Sequence, residues 1–135
     1  MLYEKLTRLK HIRDDGWLSE LVSLNYKDEA FDCIHTYIVS IQPGRTRANH
    51  YHKKKEEWIA ITAGKINLHL KDVHSDEEVK VILDASSEKI EIILVPPFIA
   101  HALENVDCGN SSVIVFSNSP EDKEDTIPYK LLEII

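Results

Sequence analysis

Short β-branched runs that alternate with turn-forming clusters constrain this chain more than any other feature. The runs fall at 33–41 (CIHTYIVSI), 57–62 (EWIAIT), 79–83 (VKVIL), 89–95 (KIEIILV) and 111–117 (SSVIVFS). Between them lie QPGRTR at 42–47, TAGK at 62–65, VHSDE at 73–77, DASSE at 84–88, VPPF at 95–98 and VDCGN at 106–110. Turns spaced at roughly 8–12 residues predict an antiparallel sandwich or barrel rather than βα units. In KINLHLKD (65–72), Ile66, Leu68 and Leu70 fall on one face and Asn67, His69 and Lys71 on the other. Only YEKLTRLK near the start and PYKLLEII at the end could carry helical turns, and the second could equally dock as a strand.

A chain of 135 residues supports one core, so residues 1–135 are expected to form a single domain. The net charge of −7 repels phosphate backbones and argues against a nucleic-acid partner. No segment approaches the ~20 apolar residues of a membrane helix, and MLYEKLTRLK is charged, which predicts a soluble, cytoplasmic protein with no membrane partner. Cys33 and Cys108 are expected to stay reduced.

The segment GRTRANHYHKKKEEWIAITAG (44–64) carries the chemistry. Residues two apart on a strand share a face, so His50 and His52 present two imidazoles side by side. A carboxylate follows at Glu56 or Glu57, after a lysine-rich turn that returns the chain as a neighbouring strand. His101, just after VPPFIA, offers a fourth donor. Such N/O donors suit a first-row divalent ion: zinc, nickel, manganese or iron. His11, His69 and His74 read as surface histidines.

These intervals resemble the cupin superfamily. Gly44, His50, His52, Glu57 and Gly64 match its first motif, and counting back from Gly64 selects Glu57 over Glu56. Pro96, His101 and Asn105 match the second motif, although Phe98 and Ile90 stand where it has glycines. The resemblance implies a small antiparallel jelly-roll barrel with His50, His52, Glu57 and His101 at its mouth as metal ligands.

DDGWLSEL (14–21), RANHYHK (47–53), VPPFIAHALEN (95–105) and SNSPEDKEDTIPY (117–129) are similar to the cupin branch acting on nucleotide-linked 4-keto-6-deoxy sugars. That branch contains dTDP-4-dehydrorhamnose 3,5-epimerases, sugar 3,4-ketoisomerases and the cupin domain of capsular-sugar reductases. It implies an isomerase or epimerase of surface polysaccharide biosynthesis, taking a nucleotide sugar and forming a homodimer. His50 then matches the base, and Arg47 and Asn105 fall among the substrate-binding residues. Tyr37 is the better candidate acid than Tyr51 or Tyr129, since strand parity turns Tyr51 away from His50. A solvated loop charge is the plain alternative for Arg47, and a core tyrosine for Tyr37. The chain departs from the epimerases at His52 (glutamine there), at Val115 and Phe116 (near the acid tyrosine) and at Ala48 (glycine). HYHK lies closer to the ketoisomerases and the capsular domain. A metal-dependent oxygenase or other small-molecule metalloenzyme, and a non-catalytic sugar-binding cupin, are the competing readings.

Overall fold

The computed structural model describes residues 2–23, 26 and 35–131. Among the described residues twelve strands are formed: β1 (Glu4–Leu9), β2 (His11–Arg13), β3 (Gly16–Leu18), β4 (His35–Ile41), β5 (Thr46–His52), β6 (Glu57–Ala63), β7 (Lys65–Asp72), β8 (Glu78–Asp84), β9 (Lys89–Val95), β10 (Ile99–Asn105), β11 (Ser111–Ser117) and β12 (Thr126–Pro128). One 3₁₀ turn, Lys123–Asp125, precedes β12. The N-terminal segment expected to carry helical turns is a strand instead, because pairing with β9 from Glu4↔Leu94 to Leu9↔Lys89 overrides a weak local preference. Near the other end Thr126–Pro128 docks on β5 as β12; of the PYKLLEII segment only Pro128 belongs to that strand, residues 129–131 are irregular and residues 132–135 lie outside the described ones.

Two five-stranded antiparallel sheets form the body, in the orders β1-β9-β6-β11-β4 and β12-β5-β10-β7-β8, and β2 and β3 make a separate hairpin. This is the all-β, cupin-like architecture expected, although ladder hydrogen bonding does not close around it. The main core lies between the sheets. Ile66, Leu68 and Leu70 are fully buried there, as their alternation requires, facing Ile59, Ile61, Ile93 and Val113. Each such side chain contributes about 1.5–3 kcal/mol by leaving water. A second cluster of Trp58, Ala60, Ile90 and Ile92 covers the outer face of the first sheet, with Leu6 and Leu21 packed on it. β6 is therefore buried on both sides, which explains its unbroken apolar run.

Gly64 turns β6 into β7 with φ +79°, where a Cβ would overlap Ser111 Oγ and lie 2.9 Å from Ser111 Cα. Ser111 cannot retreat, since its hydroxyl binds Asn105 Oδ1 at 2.7 Å. Cys108 is exposed and unpaired, while Cys33 lies outside the described residues.

Candidate active site

β5 is irregular where it approaches the cavity. Its register with β10 steps from His50↔His101 to Ala48↔Ala102, leaving Asn49 as an extra residue, and Ala48 and Asn49 have φ of 72° and 55°. In a regular strand Arg47 and His50, three apart, would face opposite ways. The bulge brings both onto the wall of one cavity of about 260 Å³, which Tyr37, Glu57 and His101 also line.

Candidate ligand atoms of His50, His52, Glu57 and His101 all lie within 4.8 Å of one another. The sequence scatters these four residues across β5, β6 and β10, and the fold brings them together. Glu57 Oε1 is 3.1 Å from His52 Nε2 and 3.2 Å from His101 Nε2. Glu56 is outside this group and uses its backbone N–H on Asn118 Oδ1.

The far side of each ring fixes its tautomer. His52 Nδ1 lies 3.0 Å from the Asp125 carbonyl, and His101 Nδ1 lies 3.1 Å from the Ile99 carbonyl. Carbonyl oxygens only accept, so both Nδ1 atoms carry a proton. With one proton per ring, two Nε2 lone pairs converge on the carboxylate of Glu57. That arrangement requires positive charge, supplied either by a second proton on each ring or by one shared cation. A first-row divalent ion fits the donor chemistry.

Electrostatics agree with the geometry. Burial pushes the Glu57 carboxyl up, but hydrogen bonds from His101 and His52, the electrostatic effect of His101 and the Tyr37 hydroxyl hold it well below the usual carboxylate range. Burial, then the neighbouring His101 and His52, push His50 down to about 3. Its imidazole is therefore neutral near pH 7, as a ligand or a base must be.

Tyr37 reaches the cavity, but its hydroxyl donates to Glu57 Oε2 at 2.5 Å, and burial followed by the Glu57 carboxylate push its pKa up. The geometry suits holding Glu57 better than donating a proton. Asn105 is not brought to the cavity. Its amide donates to the Ile41 and Gly109 carbonyls, and its Oδ1 accepts from Ser111 and the Asp107 N–H, so it secures the β10–β11 turn. Tyr51 points outward against Phe98 and Tyr129, as strand parity predicts. His69 pairs with Glu104 at 2.9 Å, His74 stacks on Phe98 and His11 is exposed, all away from the cavity.

Four participants were not singled out from the sequence. His35 and Glu121 line the cavity. Lys55 is only 2% exposed, with Nζ 3.8 Å from Glu57 Oε2 and 3.7 Å from Glu121 Oε2. Asp125 accepts the backbone N–H groups of Lys53 and Lys54 on Oδ1 and of Lys55 on Oδ2. For His35 a signal existed, since it stands two residues before Tyr37 on one strand. Asp125, 70–72 residues downstream of the lysines it holds, gave none.

The family model described as polysaccharide biosynthesis C-terminal domain matches residues 11–127. The chain belongs to that family. Several solved structures resemble this polysaccharide biosynthesis C-terminal domain. The capsular polysaccharide assembling protein CapF from Staphylococcus aureus is 22% identical with a TM-score of 0.69, over 92% of this chain and 34% of that one. The domain thus spans about a third of CapF. QdtA, a sugar 3,4-ketoisomerase from Thermoanaerobacterium thermosaccharolyticum solved with TDP, is 20% identical with a TM-score of 0.77, over 93% and 87% of the two chains. A dTDP sugar isomerase from Desulfovibrio desulfuricans is 14% identical with a TM-score of 0.84, over 93% and 82%. At these identities the likeness establishes the fold. A search of curated proteins found no match. No helix among the described residues of the domain is long and apolar enough to cross a membrane.

Proposed function

We propose that this chain is an isomerase or epimerase of a nucleotide-activated 4-keto-6-deoxy sugar, serving surface polysaccharide biosynthesis in the cytoplasm. One observation carries the reading: Arg47, a neutral His50, Glu57 and His101 all face a single cavity of about 260 Å³, with His52, the fourth donor, packed against Glu57 behind them. That volume is just below the ~300–1,000 Å³ of sites for drug-sized ligands. It suits one sugar ring, with the nucleotide lying toward solvent. Family membership and the ketoisomerase and sugar isomerase neighbours support the same substrate class.

A proton on the carbon beside a ketone is acidified, and a neutral imidazole within hydrogen-bond reach can remove it. Arg47, exposed at the wall, offers a planar fork for sugar or phosphate oxygens. His50, His52, Glu57 and His101 would hold a divalent ion, which when bound supplies electrophilic stabilisation of an enolate oxygen. Tyr37 and Lys55 keep the second oxygen of Glu57 in place.

We also assign the chain to a homodimer. The β2–β3 hairpin exposes Ile12 (63%), Trp17 (49%) and Leu18 (58%), an apolar surface that an isolated hairpin cannot bury by itself.

Proton NMR in heavy water with a panel of nucleotide 4-keto-6-deoxy sugars tests the functional reading. Entry of solvent deuterium beside the ketone is the expected result. Retention of every carbon-bound proton overturns it. Oxygen uptake with bound iron would point to the oxygenase alternative, and ligand binding without turnover to the sugar-binding one.

A further inference from the structure

We infer that Lys55 is a resident cation of the four-donor cluster, a positioning residue that competes with the metal ion for Glu57 and so weakens the hold of the site on that ion. The inference rests on the reading of His50, His52, Glu57 and His101 as a cation site, and goes beyond it by naming the group that sets its affinity.

A lysine is almost never fully buried unless it is paired. Lys55 is only 2% exposed, and its Nζ stands within ion-pair distance of two carboxylates, 3.8 Å from Glu57 Oε2 and 3.7 Å from Glu121 Oε2. The Tyr37 ring lies beside it, with its centroid 5.9 Å from Nζ. Its backbone is tied down, because Asp125 accepts the N–H groups of Lys53, Lys54 and Lys55. Lys55 is not one of the residues lining the cavity. It therefore acts on the site through Glu57 rather than on a bound sugar.

The two oxygens of Glu57 have separate surroundings. Oε1 faces the Nε2 atoms of His52 and His101, whereas Oε2 accepts from the Tyr37 hydroxyl and neighbours the Lys55 ammonium. Lys55 thus helps to hold Oε2 back from an ion in the cluster. Charge acts in the same direction. Three neutral imidazoles and one carboxylate carry a single negative charge, which Lys55 balances. A divalent ion enters beside that fixed positive charge, where the burial of Glu57 and Lys55 leaves little water to screen the repulsion. Without the ammonium, the ion-free chain holds Glu57 with less compensation and the loaded chain loses a repulsion. Both changes raise the affinity. Loss of a residue that merely shaped the site would lower it.

The test measures zinc affinity at pH 7.5, by competition with a chromophoric chelator, for wild type, Lys55→Met and Lys55→Arg. We expect Lys55→Met to bind zinc about tenfold or more tightly than wild type, and Lys55→Arg, which keeps the charge, to stay within about threefold of wild type. Should Lys55→Met fail to fold, Lys55→Gln carries the same expectation. Equal or weaker zinc binding in a folded neutral variant overturns the inference and leaves the cation site intact. So does an equal gain in Lys55→Arg, because charge is then not the cause. Failure of both neutral variants to fold overturns it as well, by showing a structural role. Wild type that binds no zinc removes the cation site and this inference together.

Discussion

Asp125 accepts the Nδ1 proton of His52 on its backbone carbonyl at 3.0 Å, while its carboxylate receives three consecutive backbone N–H groups from the β5–β6 loop. One residue thus sets a candidate ligand's tautomer and holds the loop that carries buried Lys55. Replacing it with alanine frees those donors, and hydrogen bonds to charged groups contribute about 1.5–3 kcal/mol each. Lys53 and Lys54 are exposed, so water compensates part of that loss. Asp125→Ala should destabilise the fold by about 2–4 kcal/mol in urea titrations, while zinc affinity in calorimetry should fall by less than about tenfold, because alanine keeps the carbonyl to which His52 Nδ1 donates.

Tyr37 separates two roles that look alike in the sequence. As a residue that holds Glu57, it can lose its hydroxyl and leave most of the chemistry in place. Tyr37→Phe should keep at least about a tenth of wild-type deuterium exchange, whereas loss of a general acid would cost about 10²–10⁴-fold. Rates from single-turnover NMR decide between them.

Protonation should unfold the ion-free protein from mildly acidic pH downward. His50 is held at about 3 in the folded chain, below its ordinary 6.5, and Glu57 is held below its ordinary 4.5. For both groups the unfolded state binds more protons in the interval between the two values. Stability is therefore complete above about pH 6.5 and declines as pH falls, first through His50 and then below about 4.5 through Glu57. Thermal melts in chelator from pH 7.5 to 4 should show this decline. His50→Gln should flatten the portion above pH 4.5, and an unchanged slope would refute the assignment.

Gly64 offers a check on the fold apart from its chemistry. Alanine there takes on a left-handed backbone and collides with Ser111. Gly64→Ala should cost about 2–4 kcal/mol, combining left-handed strain with overpacking. Denaturant midpoints with an unchanged m-value would report it.

Much of this architecture was legible because strand periodicity is local. Ile66, Leu68 and Leu70 alternate into the core as written, and HxH spacing placed the His50 and His52 rings side by side, with centroids 4.9 Å apart. Of the three positions where a family glycine is replaced, two were informative: Ala48 and Phe98 have φ of 72° and 66°, so the backbone keeps the conformation that glycine would favour. What stayed hidden depends on long-range geometry. A bulge at Asn49 reverses the parity of Arg47, which no alternation rule anticipates. Asn105 matches a motif interval, but its amide is consumed by the turn it stabilises. Asp125 acts on loop residues 70–72 positions earlier in the chain. Strand pairing with β9 decided the N-terminal segment against helix.

The central claim is that His50, His52, Glu57 and His101 form one cation site. Equilibrium dialysis against zinc at pH 7.5, followed by elemental analysis, tests it most directly when wild type is run beside Glu57→Gln and His101→Ala. The account predicts one ion per chain in the wild type and a loss of tenfold or more in affinity in each variant, about 1.4 kcal/mol. Wild-type protein without zinc, or variants that bind it as tightly as the parent, would contradict it.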